Sequence, residues 1–180
     1  MDAIDVMMEE HKNIKKILIV TRKYCNMLLN NEEFDINVFY DIIDFIRNYA
    51  DKHHHGKEEE MLFNKMQTEC VDAIKKTIQH GMLVEHDMGR MYVRDLEEAL
   101  NKFKAGDNDA KLDIIANAIS YTHLLTRHID KEDNILYKYA LNNLSKDSLD
   151  KLNKESIEFE KEAENNGIQH RYIEMLERLS

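Results

Sequence analysis

Asp51-Lys52-His53-His54-His55-Gly56-Lys57-Glu58-Glu59-Glu60-Met61-Leu62-Phe63 runs three consecutive histidines into three consecutive glutamates. On a helix, residues four apart share a face, so a histidine and a glutamate at that spacing offer a nitrogen and a carboxylate to the same neighbour. That is metal-ligand geometry. The phrase is written again as His128-Ile129-Asp130-Lys131-Glu132-Asp133-Asn134-Ile135-Leu136-Tyr137. Both copies read His-x-x-Lys-Glu, followed by Leu-Phe or Leu-Tyr. Glu10-His11 precedes the first copy and Glu85-His86 precedes the second, at nearly equal spacing. Each half of the chain therefore carries one lone histidine and then a His-x-x-x-Glu pair.

Three histidines in a row cannot all face one way, since each step turns an α-helix by ~100°. His54 shares a face with Ile43, Ile46, Ala50, Glu58, Met61 and Leu62, which is apolar. His55 falls with Asp41, Asp44, Asn48, Asp51 and Glu59, a wet face, and is expected to be exposed. His53 falls with Ile42, Ile46 and Tyr49 at the core's edge, in reach of a supporting role. Aligning Lys57 on Lys131 independently places His54 on His128 and Glu58 on Glu132. Two inward glutamates would be costly as unpaired buried charges and call for a cation. The candidate ligands are thus His11, His54, Glu58, His86, His128 and Glu132. Glu59 and Glu60 are expected to form a solvated charge cluster, and His123 a flank. Tyr49, Tyr121 and Tyr139 lie near the ligand helices, where core aromatics with one wet end are the plainer reading.

The rest of the chain supplies the frame. Its 180 residues make one domain the expectation. There is no proline and there are five glycines, and apolar residues recur at helical spacing, so the class is all-α. A first helix should run from about Asp2 to Asn30 and a second from a cap at Asp35 to about Lys65. A third, capped by Thr68, should end at the turn Ala105-Gly106-Asp107-Asn108-Asp109. A fourth follows, with Tyr121 and His128 on one face. Two pairs of matching plan predict an up-down-up-down four-helix bundle over residues 1–144. Residues 145–180 read as a charged helix and a last short one, a helical extension covering the bundle.

Net charge is −10, which disfavours nucleic acid or an anionic membrane as partner. No apolar run approaches the ~20 residues of a membrane span, and the acidic N-terminus lacks a signal-peptide pattern. A cytoplasmic location is expected, with Cys25 and Cys70 as free thiols.

Imidazole and carboxylate without thiolate suit iron, manganese or zinc, and six ligands exceed one closed tetrahedral zinc site. Glu58 and Glu132 bridging two metals, with two histidines on each, is a natural arrangement. Met8-Glu9-Glu10-His11, His54-His55-Gly56-Lys57-Glu58-Glu59 with Leu62-Phe63, Val84-Glu85-His86 and His128-Ile129-Asp130-Lys131-Glu132 with Leu136-Tyr137 together resemble the hemerythrin-like family of histidine–histidine–glutamate cation-binding domains, from Met7 to about Leu141. The resemblance implies two iron ions with an oxo or hydroxo bridge, a small diatomic or peroxide ligand, and an electron-donor protein as partner. Members bind or sense oxygen, respond to nitric oxide or peroxide, or handle iron by storage, donation or sensing. Two departures stand out. Oxygen-carrying hemerythrins have a second histidine one turn from the third-helix ligand, where this chain has Met82 and Arg90. They also use an aspartate five residues after the last histidine, here Asp133, whereas Glu132 matches the other half. One nitrogen fewer leaves one more open position and favours redox turnover over stoichiometric oxygen carriage.

Overall fold

The structure is a computed structural model and describes residues 2–179. Among these there is no strand. Six helices follow one another: α1, Ala3–Leu29; α2, 38–69; α3, 72–104; α4, 110–143; α5, Lys146–Asn165; and α6, Ile168–Leu179. Asp2 caps α1 by accepting from the Asp5 amide at 2.9 Å, and Ser145 caps α5 through the Ser148 amide. Gly106 and Gly167 take φ of 101° and 69° just past α3 and α5, a left-handed conformation that glycine adopts without strain.

Two helix boundaries differ from expectation. α2 continues through Thr68, whose hydroxyl donates to the Asn64 carbonyl within the helix instead of capping the next one. The break falls at Cys70-Val71, where the backbone turns extended. Asp35 lies before the start of α2 and accepts from the Asn37 amide.

The long helices are not regular throughout. Ile46–His55 and Glu58–Leu62 in α2, Ile78–Met82 in α3 and Glu132–Leu136 in α4 are π-helical. These wider i→i+5 turns often mark functional sites. Glu58 and Glu132 each open one, so the internal repeat extends to a backbone irregularity.

The interior has two apolar clusters. One gathers Ile14, Ile17, Phe39, Ile42, Ile46, Val93, Leu96, Leu125 and Ile129 with Tyr172 and Leu176 from α6. The other gathers Ile4, Met7, Leu62, Phe63, Met66, Met82, Leu136 and Tyr137 with Leu152 from α5. On each of α1 to α4 the candidate ligands fall between the two sets: His11 between Met7 and Ile14, His54 and Glu58 between Ala50 and Leu62, His86 between Met82 and Val93, and His128 and Glu132 between Leu125 and Leu136. The polar residues thus form a layer closed off from water by packed apolar side chains on both sides. Cys25 and Cys70 are free thiols, both buried. Among the described residues, no helix is long and apolar enough to cross a membrane.

Candidate metal centre

All six predicted side chains meet in this layer. His11, His54, Glu58, His86, His128 and Glu132 are each at most 2% exposed. They fall into two groups sharing Glu58, one of His11, His54, Glu58 and Glu132, the other of His55, Glu58, His86 and His128. Within each group, one ligand atom per residue lies within 4.8 Å of the rest.

Every histidine is held by its outer nitrogen. His54 Nδ1 lies 2.8 Å from Glu10 and His128 Nδ1 2.8 Å from Glu85. His11 Nδ1 lies 2.7 Å from Asp133 and His86 Nδ1 2.6 Å from Glu59. A carboxylate on Nδ1 fixes that nitrogen as the donor and leaves Nε2 with its lone pair turned inward, which is how ligating imidazoles are oriented. The pattern is duplicated. Glu10 and Glu85 hold the His-x-x-x-Glu histidine of their own half and also accept from Lys57 and Lys131. Asp133 and Glu59, each just after an inward glutamate, hold the lone histidine of the opposite half.

Several of the inward atoms have no hydrogen-bond partner to match. His11 Nε2, His54 Nε2, Glu58 Oε2 and both Glu132 oxygens are buried and unpaired. His86 Nε2 and His128 Nε2 face each other at 2.9 Å, and His128 Nε2 is 2.9 Å from Glu132 Oε1. His11 Nε2 to Glu132 Oε2 is 3.4 Å, and His86 Nε2 to Glu58 Oε2 is 3.6 Å. Ligands at the ~2.0–2.2 Å of metal–nitrogen and metal–oxygen bonds are separated by roughly 3–3.5 Å, so these spacings fit shared cations. Buried polar atoms are normally paired, and this many orphans in one place point to an ion.

Electrostatics point the same way. Burial and the neighbouring Glu132 charge push the Glu58 carboxyl well above its usual range. Glu132 is held well below its range despite burial, chiefly by the His128 charge, with the close approach of the His11 and His128 nitrogens adding to it. His128 is raised to about 10, because Glu132 outweighs its desolvation. Burial and the nearby His11 lower His54 to about 4. One carboxylate can ionise against the histidines; a second needs further positive charge.

Other residues stand differently from expectation. His55 is 4% exposed, not a surface residue. Its stretch is π-helical, so a face count at ~100° per residue does not hold there. The acids of its supposed wet face are also occupied, since Arg90 binds both Asp51 and Glu59. Glu59 is accordingly a partner of His86 rather than part of a solvated cluster, while Glu60 is exposed. His53 is buried, with Nε2 2.9 Å from Glu10. His123 and His80 are exposed. Of the tyrosines, Tyr137 is the one that reaches the site. Its hydroxyl donates to Glu58 Oε1 and its ring stacks on His11 at 5.5 Å. Its equivalent, Phe63, stacks near His86 at 6.0 Å. The Leu-Phe/Leu-Tyr element of the repeat was the signal for both. Glu10, His53 and Glu160 form a third acid–histidine group, but Lys57 already supplies its positive charge.

A cavity of about 120 Å³ lies beside the second group. Ile46, Val93 and Tyr121 line it together with the buried His55 and His86 and the less buried Asp51 and Arg90. Gly89 belongs to the same wall, where a Cβ would sit 3.5 Å from the Tyr121 ring.

No match to a curated protein was found. The hemerythrin HHE cation binding domain matches residues 2–140, a span that contains every side chain of the two groups. With that match over most of its length, the chain belongs to the hemerythrin HHE cation-binding family.

Proposed function

We propose that His11, His54, Glu58, His86, His128 and Glu132 hold two iron ions, and that the protein uses them to bind, sense or reduce a small oxidant such as dioxygen, peroxide or nitric oxide. The observation that carries the metal reading is the buried, unpaired Nε2 atoms of His11 and His54 and carboxylate oxygens of Glu58 and Glu132, in a layer where the Nδ1 atoms of His11, His54, His86 and His128 are all held by carboxylates. Glu58, which belongs to both groups, and Glu132 would supply the carboxylates that hold the two metals. Helices α1 to α4 form the four-helix bundle of the first 144 residues, α5 and α6 cover it, and the protein works in the cytoplasm with an electron-donor protein. The imidazole–carboxylate donor set suits iron, manganese and zinc alike, and iron is preferred here on the family resemblance alone.

An iron pair would supply accessible redox states and open coordination positions. The chain's own groups would do the remainder. Glu10, Glu85, Asp133 and Glu59 keep the imidazoles in the ligating tautomer. Tyr137 stabilises the Glu58 carboxylate by donating to it, and the two apolar clusters keep bulk water out. Anaerobic titration with ferrous iron, followed by addition of oxygen, peroxide or nitric oxide, tests the reading. Two irons per chain and a visible band that answers to one of these oxidants are expected. Two irons that exchange reversibly with chelators and consume no oxidant would assign the protein to iron storage, donation or sensing instead. No bound metal after growth in iron-rich medium would refute both.

A further inference from the structure

Glu10 holds His54 Nδ1 and Glu85 holds His128 Nδ1, and each acid also accepts from the lysine three residues after its histidine, Lys57 or Lys131. Beyond that point the two halves part. The Lys131 side chain is 41% exposed, and Glu85 is its carboxylate partner. Lys57 is 1% exposed and donates to a second carboxylate, Glu160 of α5. His53 Nε2 joins the same group, 2.9 Å from Glu10 and 3.4 Å from Glu160, whereas its counterpart in the second half, Arg127, is exposed. The Phe159 ring of α5 covers the group, 5.3 Å from the His53 ring centroid and 5.8 Å from Lys57 Nζ. Glu160 is itself fixed from α6, where Gln169 Nε2 donates to Oε2 at 2.7 Å. An unbroken line of hydrogen bonds therefore runs from α6 and α5 through Lys57 and Glu10 to His54 Nδ1. Neither the repeat nor the family match over residues 2–140 reaches as far as α5, so neither demands this line.

We propose that Glu160 is a positioning residue for the metal centre, acting on His54 through Lys57 and Glu10. Hydrogen bonds to charged groups are strong in a dry interior, and those in a network polarise one another. A lysine between two carboxylates divides its charge between them. Glu10 then remains a strong acceptor for the His54 Nδ1–H, and a strong acceptor on Nδ1 makes Nε2 the more basic ligand atom. With Glu160 neutral, Lys57 turns its whole charge on Glu10 and draws it away from His54. The C-terminal extension is thus part of the support of the centre as well as its cover. It sets the two duplicated histidines apart, because His54 answers to α5 and His128 does not. The orientation of His54 stands on the hydrogen bonds alone; the effect on bound metal rests on the two-iron reading above.

The test is Glu160→Gln, which keeps the shape of the side chain and an oxygen for Lys57 but removes the charge. Glu155→Gln, which neutralises the α5 partner of Lys65, controls for loosened docking of the helix. In metal-free protein at neutral pH, the imidazole ¹⁵N and Nδ1–H resonances of His54 should move in Glu160→Gln, while those of His128 stay in place. Titration with ferrous iron should show affinity lowered about tenfold, the mild end of the range for groups that support a metal ligand. The midpoint potential of the loaded centre should rise, because net negative charge has been removed beside it. Glu155→Gln should change none of these. Adding Glu160→Gln to Glu10→Gln should cost no further affinity, since the effect passes through Glu10. A His54 signal in Glu160→Gln identical to that of the wild type would overturn the proposal, with or without bound iron. So would equal movement of His54 and His128, or losses of iron affinity that add in the double variant, both being marks of a general loosening. Wild-type protein that binds no iron would overturn the two-iron reading alone.

Discussion

Glu58→Gln and Glu132→Gln should behave alike with metal and oppositely without it. Both carboxylates are fully buried, but their surroundings differ. Glu58 is pushed up by burial and by Glu132, which favours its neutral form in the metal-free protein. A glutamine imitates that neutral acid in shape and can still accept from Tyr137. Its cost to the metal-free fold should stay within about 1 kcal/mol, the scale of one ordinary hydrogen bond. Glu132 is held well below its usual range, which favours its charged form, and lies 2.9 Å from His128 and 3.4 Å from His11. Removing one member of a buried charge pair costs roughly 3–5 kcal/mol. For a chain of this size, each kcal/mol moves the melting temperature by roughly 2–4 °C, so metal-free Glu132→Gln should melt roughly 6–20 °C below wild type. Free iron at a hundredfold excess over Kd should add about 2.7 kcal/mol to the wild type, and that increment should be lost in both variants, each having lost a shared carboxylate. The assay is calorimetry at pH 7 on stripped and iron-loaded protein. Equal destabilisation of the two metal-free variants would refute the idea that the pair shares one charge. An iron increment that survives both would refute their role as ligands.

Glu10→Gln should weaken iron binding by roughly 10–100-fold, since Glu10 sets the His54 tautomer. Calorimetric titration with iron checks this, and wild-type affinity would count against an orienting role. Tyr137→Phe removes the donor to Glu58 Oε1 and should cost roughly 1–3 kcal/mol in a chemical denaturation curve. Asp51 is held at about 2 because hydrogen bonds from His55 and Arg90 outweigh its desolvation. A depressed carboxyl pKa stabilises the fold fully above its usual value near 3.8, and that contribution is lost as pH falls through about 2. Urea unfolding followed from pH 5 to 2 should therefore lose less stability in Asp51→Asn than in wild type, and parallel curves would exclude the linkage.

The parts of the fold and site that could be read from sequence are those written periodically. Helical spacing, the missing prolines and the turns near Asn30 and Gly106 located helices α1 and α4 closely. The repeat named the six side chains that meet in the polar layer, and it favoured Glu132 over Asp133 as the inward acid, which is where the structure puts them. His55 was misplaced because its stretch is π-helical, and a wide turn depends on the packing of other helices rather than on local residue preference. Thr68 was misread because its hydroxyl satisfies a carbonyl inside the helix as readily as it caps a new one. Glu10, Glu85 and Glu59 stood in plain sight, but an acid beside a histidine reads as a solvated charge until a second helix is brought against it.

The crossed partnership of the lone histidines bears on how such a centre could arise. His11 takes its carboxylate from Asp133 and His86 takes its own from Glu59, so neither half can orient its own first-helix ligand. Two copies of a single ancestral helix pair, meeting about a twofold axis, would satisfy each other in this way, because a symmetric contact repeats every interaction with the roles exchanged. A lone ancestral pair would have been an incomplete binder, and assembly would have come before metal capture. Copies joined in one chain would be free to diverge, and His55 opposite Ile129 is a position where the two halves differ.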